Sequence, residues 1–254
     1  MPRVRRNPYG SASYAFGPGG ISFAVKWLII ANVAVFLACG IFPAVTIPLG
    51  LTPAAVIGER WLWQPATYMF VHRELFHLLF NMLALWMFGT ELERLWGPTR
   101  FVKFYAVCGI GAAVTTLVAS LLPFGFAGPI YYSMTIGASG AVYGLLLAWG
   151  MLFPDRPILM FLLFPVPAKI FVLVMGAISL WLSVTASGGG VAHITHLGGL
   201  VAGYFYLSSG RGGPMAEIKY RYLKWKMARM RRGFDVVAGG KRPRTGGGWD
   251  GRVH

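Results

Sequence analysis

Six apolar runs divide the chain, near residues 23 to 43, 75 to 96, 101 to 122, 135 to 153, 168 to 186 and 192 to 209. Crossing roughly 30 Å of hydrocarbon takes about 20 helical residues. Inside lipid, backbone N–H and C=O groups must be satisfied within the segment itself, so each run reads as a helix. With 56% hydrophobic and only 12% charged residues, the composition lies far from that of a soluble domain. The predicted fold is all-α: a polytopic membrane protein whose six transmembrane helices form one bundle over residues 23–209. The fifth run, "PILMFLLFPVPAKIF", carries Pro165, Pro167 and Lys169 within a longer apolar stretch. Residues 157 to 164 therefore read as a hook at the membrane surface, with the helix starting after the prolines.

Six crossings leave both termini on one side. Arg3, Arg5, Arg6 and Lys26, then Arg94, Arg100 and Lys103, then Arg156 and Lys169, and twelve basic residues from 210 onward all fall on that side, against Arg60 and Arg73 on the other. By the positive-inside rule the termini are cytoplasmic. The expected location is a bacterial cytoplasmic membrane, multi-pass. The net charge of +15 is then a topology signal rather than a sign of nucleic-acid binding.

Residues 1–22 form a cytoplasmic arm and 210–254 a basic tail. Within the tail, about 215–232 places Tyr220, Leu223, Met227 and Met230 at helical spacing. This is either a basic amphipathic helix on anionic lipid or a solvated charged helix. The glycine-rich remainder has too little to bury and is expected to be disordered. Cys39 and Cys108 fall within spans as packing residues. The arm shows no short apolar segment with a cleavage site. The sequence suggests neither metal nor cofactor.

Polar side chains inside spans are costly and become functional candidates. "ELFHLLFNML" puts His77 and Asn81 at i and i+4, on one helical face. "VAHITHLGGLVAG" puts His193 and His196 at the start of the sixth span, and "TIGASGAVYG" puts Ser139 among small residues at the start of the fourth. Each alone reads equally well as a satisfied interhelical hydrogen bond. Depth links them: at 1.5 Å per residue, Ser139 and His196 lie roughly 6 Å, and Asn81 about 9 Å, below the outer start of their spans. Gly140 with Gly144, and Gly199 with Gly203, form small-xxx-small stripes that let membrane helices approach closely. His196 precedes its pair by three and seven residues and shares their face, so the fourth and sixth spans can meet with Ser139 near His196.

A serine hydroxyl becomes a nucleophile when an imidazole accepts its proton. His77, Asn81 and the Ser139 backbone N–H could supply oxyanion donors. None of the eight carboxylates lies in the outer half of the fourth or sixth span, so a Ser-His-Asp triad lacks its third member and a dyad is inferred. Glu74 reads as an interfacial charge. Tyr143, four residues after Ser139, could instead pack on the His196 ring and orient it.

These elements together resemble the rhomboid family of intramembrane serine proteases. The resemblance covers about 23 to 209 and rests on an aromatic first loop, "HLLFN", "GTELERLWG", "GASG" and "AHITHLGGLVAG", in order and on the matching spans. It implies Ser139 as nucleophile, His196 as general base, and His77, Asn81 and the Ser139 amide around the oxyanion. The family histidine precedes two glycines by three and seven residues, which selects His196 over His193. Tyr143 matches the tyrosine that stacks on the catalytic ring, and His72 a first-loop histidine that is structural or water-retaining. Where many relatives have Trp-Arg, this chain reads Trp63 then Gln64. Trp61, Trp63, Tyr68 and Phe70 suit a loop at the headgroup level.

The resemblance further implies a substrate that is another protein's transmembrane helix, unwound locally and cut near the outer face. The proline-loosened start of the fifth span, "FPVPAK", is a candidate gate. Two rival readings remain: a catalytically silent relative that escorts membrane proteins, which usually lacks the serine or the histidine, and a transporter, whose broken helices belong at the bilayer midplane.

Overall fold

Helices stand along the predicted apolar runs, the fourth beginning later than its run. The structure, a computed structural model, describes residues 18–123, 127–160, 164–185 and 191–209. The arm before residue 18 and the basic tail with its predicted amphipathic helix lie outside the described residues. The long helices are α1 (Phe23–Ile41), α2 (Leu75–Trp96), α3 (Pro98–Leu121), α4 (Ser139–Leu152), α5 (Ala168–Thr185) and α6 (Val191–Ser208). Three of them, α1, α2 and α3, are long and apolar enough to cross a membrane by length and composition; α4 and most of α5 are shorter apolar helices. The chain is thus a polytopic helical membrane protein.

A single residue joins α2 to α3. Gly97, at φ +80°, ends the first helix in a conformation that side chains resist, and Pro98 opens the second, where its missing N–H is no loss. Residues Leu85–Gly89 make α2 a π-helix at mid-length, a local widening of the ladder. Where α2 ends, Glu93 is buried and accepts the Ala24 and Val25 N–H groups at 2.8 and 3.0 Å, and also the Ser22 hydroxyl. A carboxylate from α2 thereby satisfies amides that the first turn of α1 leaves unpaired.

The all-α expectation needs one amendment. The surface hook is a β-hairpin, β1 (Pro157–Met160) antiparallel to β2 (Phe164–Pro167), with Pro157 opposite Pro167. In a two-stranded sheet both strands are edges, so prolines that cannot donate are tolerated. The helix does begin directly after Pro167.

The fourth apolar run folds differently from its prediction. Residues 135 to 138 are not helical. Thr135 pairs with Leu51 of the first loop through two backbone hydrogen bonds of 2.8 and 2.9 Å, and Gly137 takes φ +110°. Only then does α4 start, with Ser139 as its first residue rather than a turn below the start. Its 14 residues extend about 21 Å. Irregular backbone at depth is tolerated where protein buries it, and Thr135, Gly137 and Ala138 are all buried.

Small residues bring α3, α4 and α6 together. A Cβ on Gly199 would overlap the Gly140 carbonyl, one on Gly203 would lie 3.3 Å from the Gly144 Cα, and one on Gly144 would collide with Cys108. Buried Thr116 and Thr195 share a 2.7 Å hydroxyl hydrogen bond between α3 and α6.

The first loop is pinned by its own polar groups. Trp63 Nε1 donates to the Pro48 carbonyl (2.8 Å) and Thr67 Oγ1 to the Leu49 carbonyl (2.8 Å). Fully buried Gln64 accepts the Thr52 N–H at 2.9 Å and donates to the Ile47 carbonyl at 3.2 Å. An amide can do both, whereas a guanidinium only donates. Trp61 and Trp63 stack at 5.8 Å between centroids. Tyr68, grouped with them as a headgroup residue, is instead buried in the core.

Candidate active site

Two close approaches create the site. The overlap-free packing of Gly140 on Gly199 sets α4 against α6. With that contact made, the His196 imidazole, one turn before Gly199, reaches the first residue of α4. Nε2 of His196 lies 2.8 Å from Oγ of Ser139. For Nε2 to accept the hydroxyl proton, the ring's own proton must sit on Nδ1. That Nδ1 is buried and without a hydrogen-bond partner among the described residues. His193, the alternative histidine, stands edge-on to His196 with centroids 5.9 Å apart.

Orientation of the imidazole comes from a ring. Tyr143, one turn after Ser139 on α4, stacks flat on His196, with centroids 4.2 Å apart and planes 7° from parallel. A tyrosine face is a favourable surface for an imidazolium. The Tyr143 hydroxyl accepts a 3.3 Å hydrogen bond from Ser179 of α5, whose side chain is fully buried.

The segment before Ser139 is held by the first loop and α2. The Gly137 N–H donates to the Tyr68 carbonyl (2.9 Å), and the Ala138 N–H donates to Nε2 of His72 (3.4 Å). His77 packs on Gly137: a Cβ there would lie 2.6 Å from Nε2 of His77. Glycine at this position thus serves both the positive φ and the close ring. His77 is therefore at the loop that leads into Ser139. Asn81 is buried but bonded within α2, its Nδ2 donating to the His77 carbonyl at 2.8 Å. No bond joins Asn81 to the Ser139 segment among the described residues.

A family model for the rhomboid domain matches residues 59–210, well over half of the chain. The chain belongs to the rhomboid family. Among curated relatives, this rhomboid is 36% identical to Rhomboid protein 1, mitochondrial, of Saccharomyces cerevisiae over 143 residues, covering 54% of this chain and 38% of that protein. It is 30% identical to Rhomboid protease GluP of Bacillus subtilis over 159 residues (63% and 28%) and 26% identical to Rhomboid protease AarA of Providencia stuartii over 156 residues (56% and 54%). The chain thus spans only part of the length of each relative. Ser139, His196, His77, Asn81 and Tyr143 all fall inside the rhomboid match.

Three further residues organise this rhomboid's site: Tyr68, read from sequence as a headgroup residue, His72, read as structural or water-retaining, and Ser179, not singled out by the sequence. The Tyr68 hydroxyl donates to the Gly109 carbonyl of α3 at 2.8 Å, and a Cβ on Gly140 would come within 2.9 Å of the Tyr68 hydroxyl oxygen. Tyr68 therefore braces the chain on both sides of Ser139. Its burial holds the phenol well above the ordinary tyrosine range. His72 is buried against His77, ring centroids 4.8 Å apart. Its Nδ1 faces the Phe70 carbonyl at 3.4 Å, leaving Nε2 as acceptor for Ala138. Burial, seconded by His77 and opposed by the Phe70 carbonyl, lowers the His72 pKa to about 4. Ser179 is one of three hydroxyl residues on α5, with Ser183 and Thr185, and no sequence signal separates it from them, since its burial follows from packing.

Proposed function

We propose that this rhomboid is an intramembrane serine endopeptidase that cuts transmembrane segments of other proteins near the outer face, with Ser139 as nucleophile and His196 as general base. The observation that carries the reading is the 2.8 Å contact from His196 Nε2 to Ser139 Oγ. Oγ attacks the scissile carbonyl as its proton passes to Nε2, and the carbonyl electrons move onto oxygen. His77, Asn81 and the Ser139 N–H are the donors for that oxyanion. The first N–H groups of a helix have no partner in its ladder, which suits the Ser139 amide to this role. Asn81 would turn from the His77 carbonyl to join them.

Collapse of the tetrahedral species expels the amine, which takes the proton back from Nε2, and leaves an acyl ester on Ser139. Water then repeats the sequence, deprotonated by Nε2, and releases the acid. No carboxylate among the described residues partners Nδ1. The stacked Tyr143 ring fixes the imidazole plane and offers its face to the transient cation.

On this reading the termini are cytoplasmic in a bacterial membrane, the partners are membrane-protein substrates, and anionic lipids meet the basic tail. The test is co-expression with a type I membrane reporter. Ser139→Ala and His196→Ala should each abolish the cleaved product while His193→Ala leaves most of it. Cleavage by Ser139→Ala, or loss with His193→Ala alone, refutes the assignment.

A further inference from the structure

Alignment of the base runs through three helices. Ser139 and Tyr143 lie on α4, His196 on α6 and Ser179 on α5. Nδ1 of His196 has no partner among the described residues, so no hydrogen bond from them sets the ring's plane from the far side. Its plane is set by the Tyr143 face, 4.2 Å away and nearly parallel. A tyrosine ring can still swing about its own side-chain bonds, and what ties down its outer end is the 3.3 Å hydrogen bond from Ser179.

Ser179 has no exposure to speak of, at 1%, so its hydroxyl has no solvent alternative. Ser183, one turn further along α5, behaves differently: it returns its hydroxyl to the Leu180 carbonyl of its own helix. That is the ordinary resting place of a helical serine. Ser179 instead spends its hydrogen bond on another helix.

Resting on the proteolytic reading above, we propose that Ser179 is a positioning residue for the base: its hydroxyl holds the Tyr143 ring, and that ring holds His196 in line with Ser139. Two consequences follow from the geometry. The alignment of the dyad depends on α5 being seated against α4, although α5 contributes no group to the chemistry. The effect of losing Ser179 is transmitted solely by the Tyr143 hydroxyl, so removing either hydroxyl removes the same restraint.

The experiment is a double-mutant cycle of Ser179→Ala and Tyr143→Phe in proteoliposomes, reading kcat and KM for a membrane-embedded reporter and the rate of Ser139 labelling by a fluorophosphonate probe. A neutral hydrogen bond of about 1 kcal/mol corresponds to a roughly three- to ten-fold loss of kcat for each single variant, with KM unchanged. The double variant should be no slower than the worse single, and Ser183→Ala should match the wild type.

Losses that multiply in the double variant, a Ser179→Ala effect confined to KM, or full kcat in Ser179→Ala would each overturn the proposal. Ser139→Ala separates the two levels. If it still cleaves the reporter, or if wild type neither cleaves nor labels, the proteolytic reading fails first. If it is inactive while Ser179→Ala is unaffected, only the positioning role fails.

Discussion

The imidazole of His196 and the phenol ring of Tyr143 lie face to face, 4.2 Å apart and 7° from parallel. Aromatic pairs contribute roughly 0.5–1.5 kcal/mol beyond their burial, so losing the whole ring should cost more than losing its hydroxyl. Tyr143→Ala is expected to cleave a membrane reporter more slowly than Tyr143→Phe by a further two- to ten-fold, roughly the rate equivalent of that pairing energy. Equal rates for the two variants would show that the stack does not orient the base.

The meeting of α4 and α6 leaves no room for a methyl at Gly199, where a Cβ would overlap the Gly140 carbonyl. Overpacking typically costs about 1–3 kcal/mol, and here the obstacle is backbone that cannot rotate away. Gly199→Ala should lower the melting temperature in detergent and reduce cleavage sharply. Gly176→Ala on α5 meets, among the described residues, only Leu200 Cδ1 at 3.5 Å and should be neutral or slightly stabilising, since alanine loses less entropy in a helix. The opposite ranking in thermal unfolding would refute this packing.

Glu93 satisfies two amides at the start of α1 and the Ser22 hydroxyl. Hydrogen bonds to a charged group contribute about 1.5–3 kcal/mol each in buried settings. Glu93→Ala should therefore lower the melting temperature clearly, and Glu93→Gln, which keeps one acceptor oxygen, should fall between it and wild type. A Glu93→Ala protein as stable as wild type would exclude the cap.

His72 links pH to stability. Its pKa is about 4 in the folded protein against an ordinary 6.5. Between those values the unfolded chain binds a proton that the folded protein rejects. Stability from this residue is therefore intact above pH 6.5 and falls as pH drops toward 4. His72→Gln retains an acceptor for the Ala138 N–H without titrating. Its melting temperature should depend less on pH than that of wild type across this window; parallel curves would remove His72 as the cause.

Much of this architecture was legible in local pattern. Apolar run length marks where helices stand, because lipid leaves backbone groups no other solution. Helical spacing puts His196 on the face of Gly199 and Gly203, and the structure has that face against α4. The helix start after Pro167 likewise follows from the conformation that proline permits.

Tertiary structure decided the rest. Ser139 opens α4 instead of lying a turn inside it because Leu51, in another part of the chain, captures Thr135, and His77 packs where a Gly137 side chain would be. The hydrogen bonds of Tyr68 to Gly109, Ser179 to Tyr143 and Ser22 to Glu93 join residues 41, 36 and 71 positions apart. Periodicity records which way a side chain faces around its own helix, a property of the 3.6-residue turn. It carries no record of which distant group arrives opposite, since that depends on how closely whole helices pack.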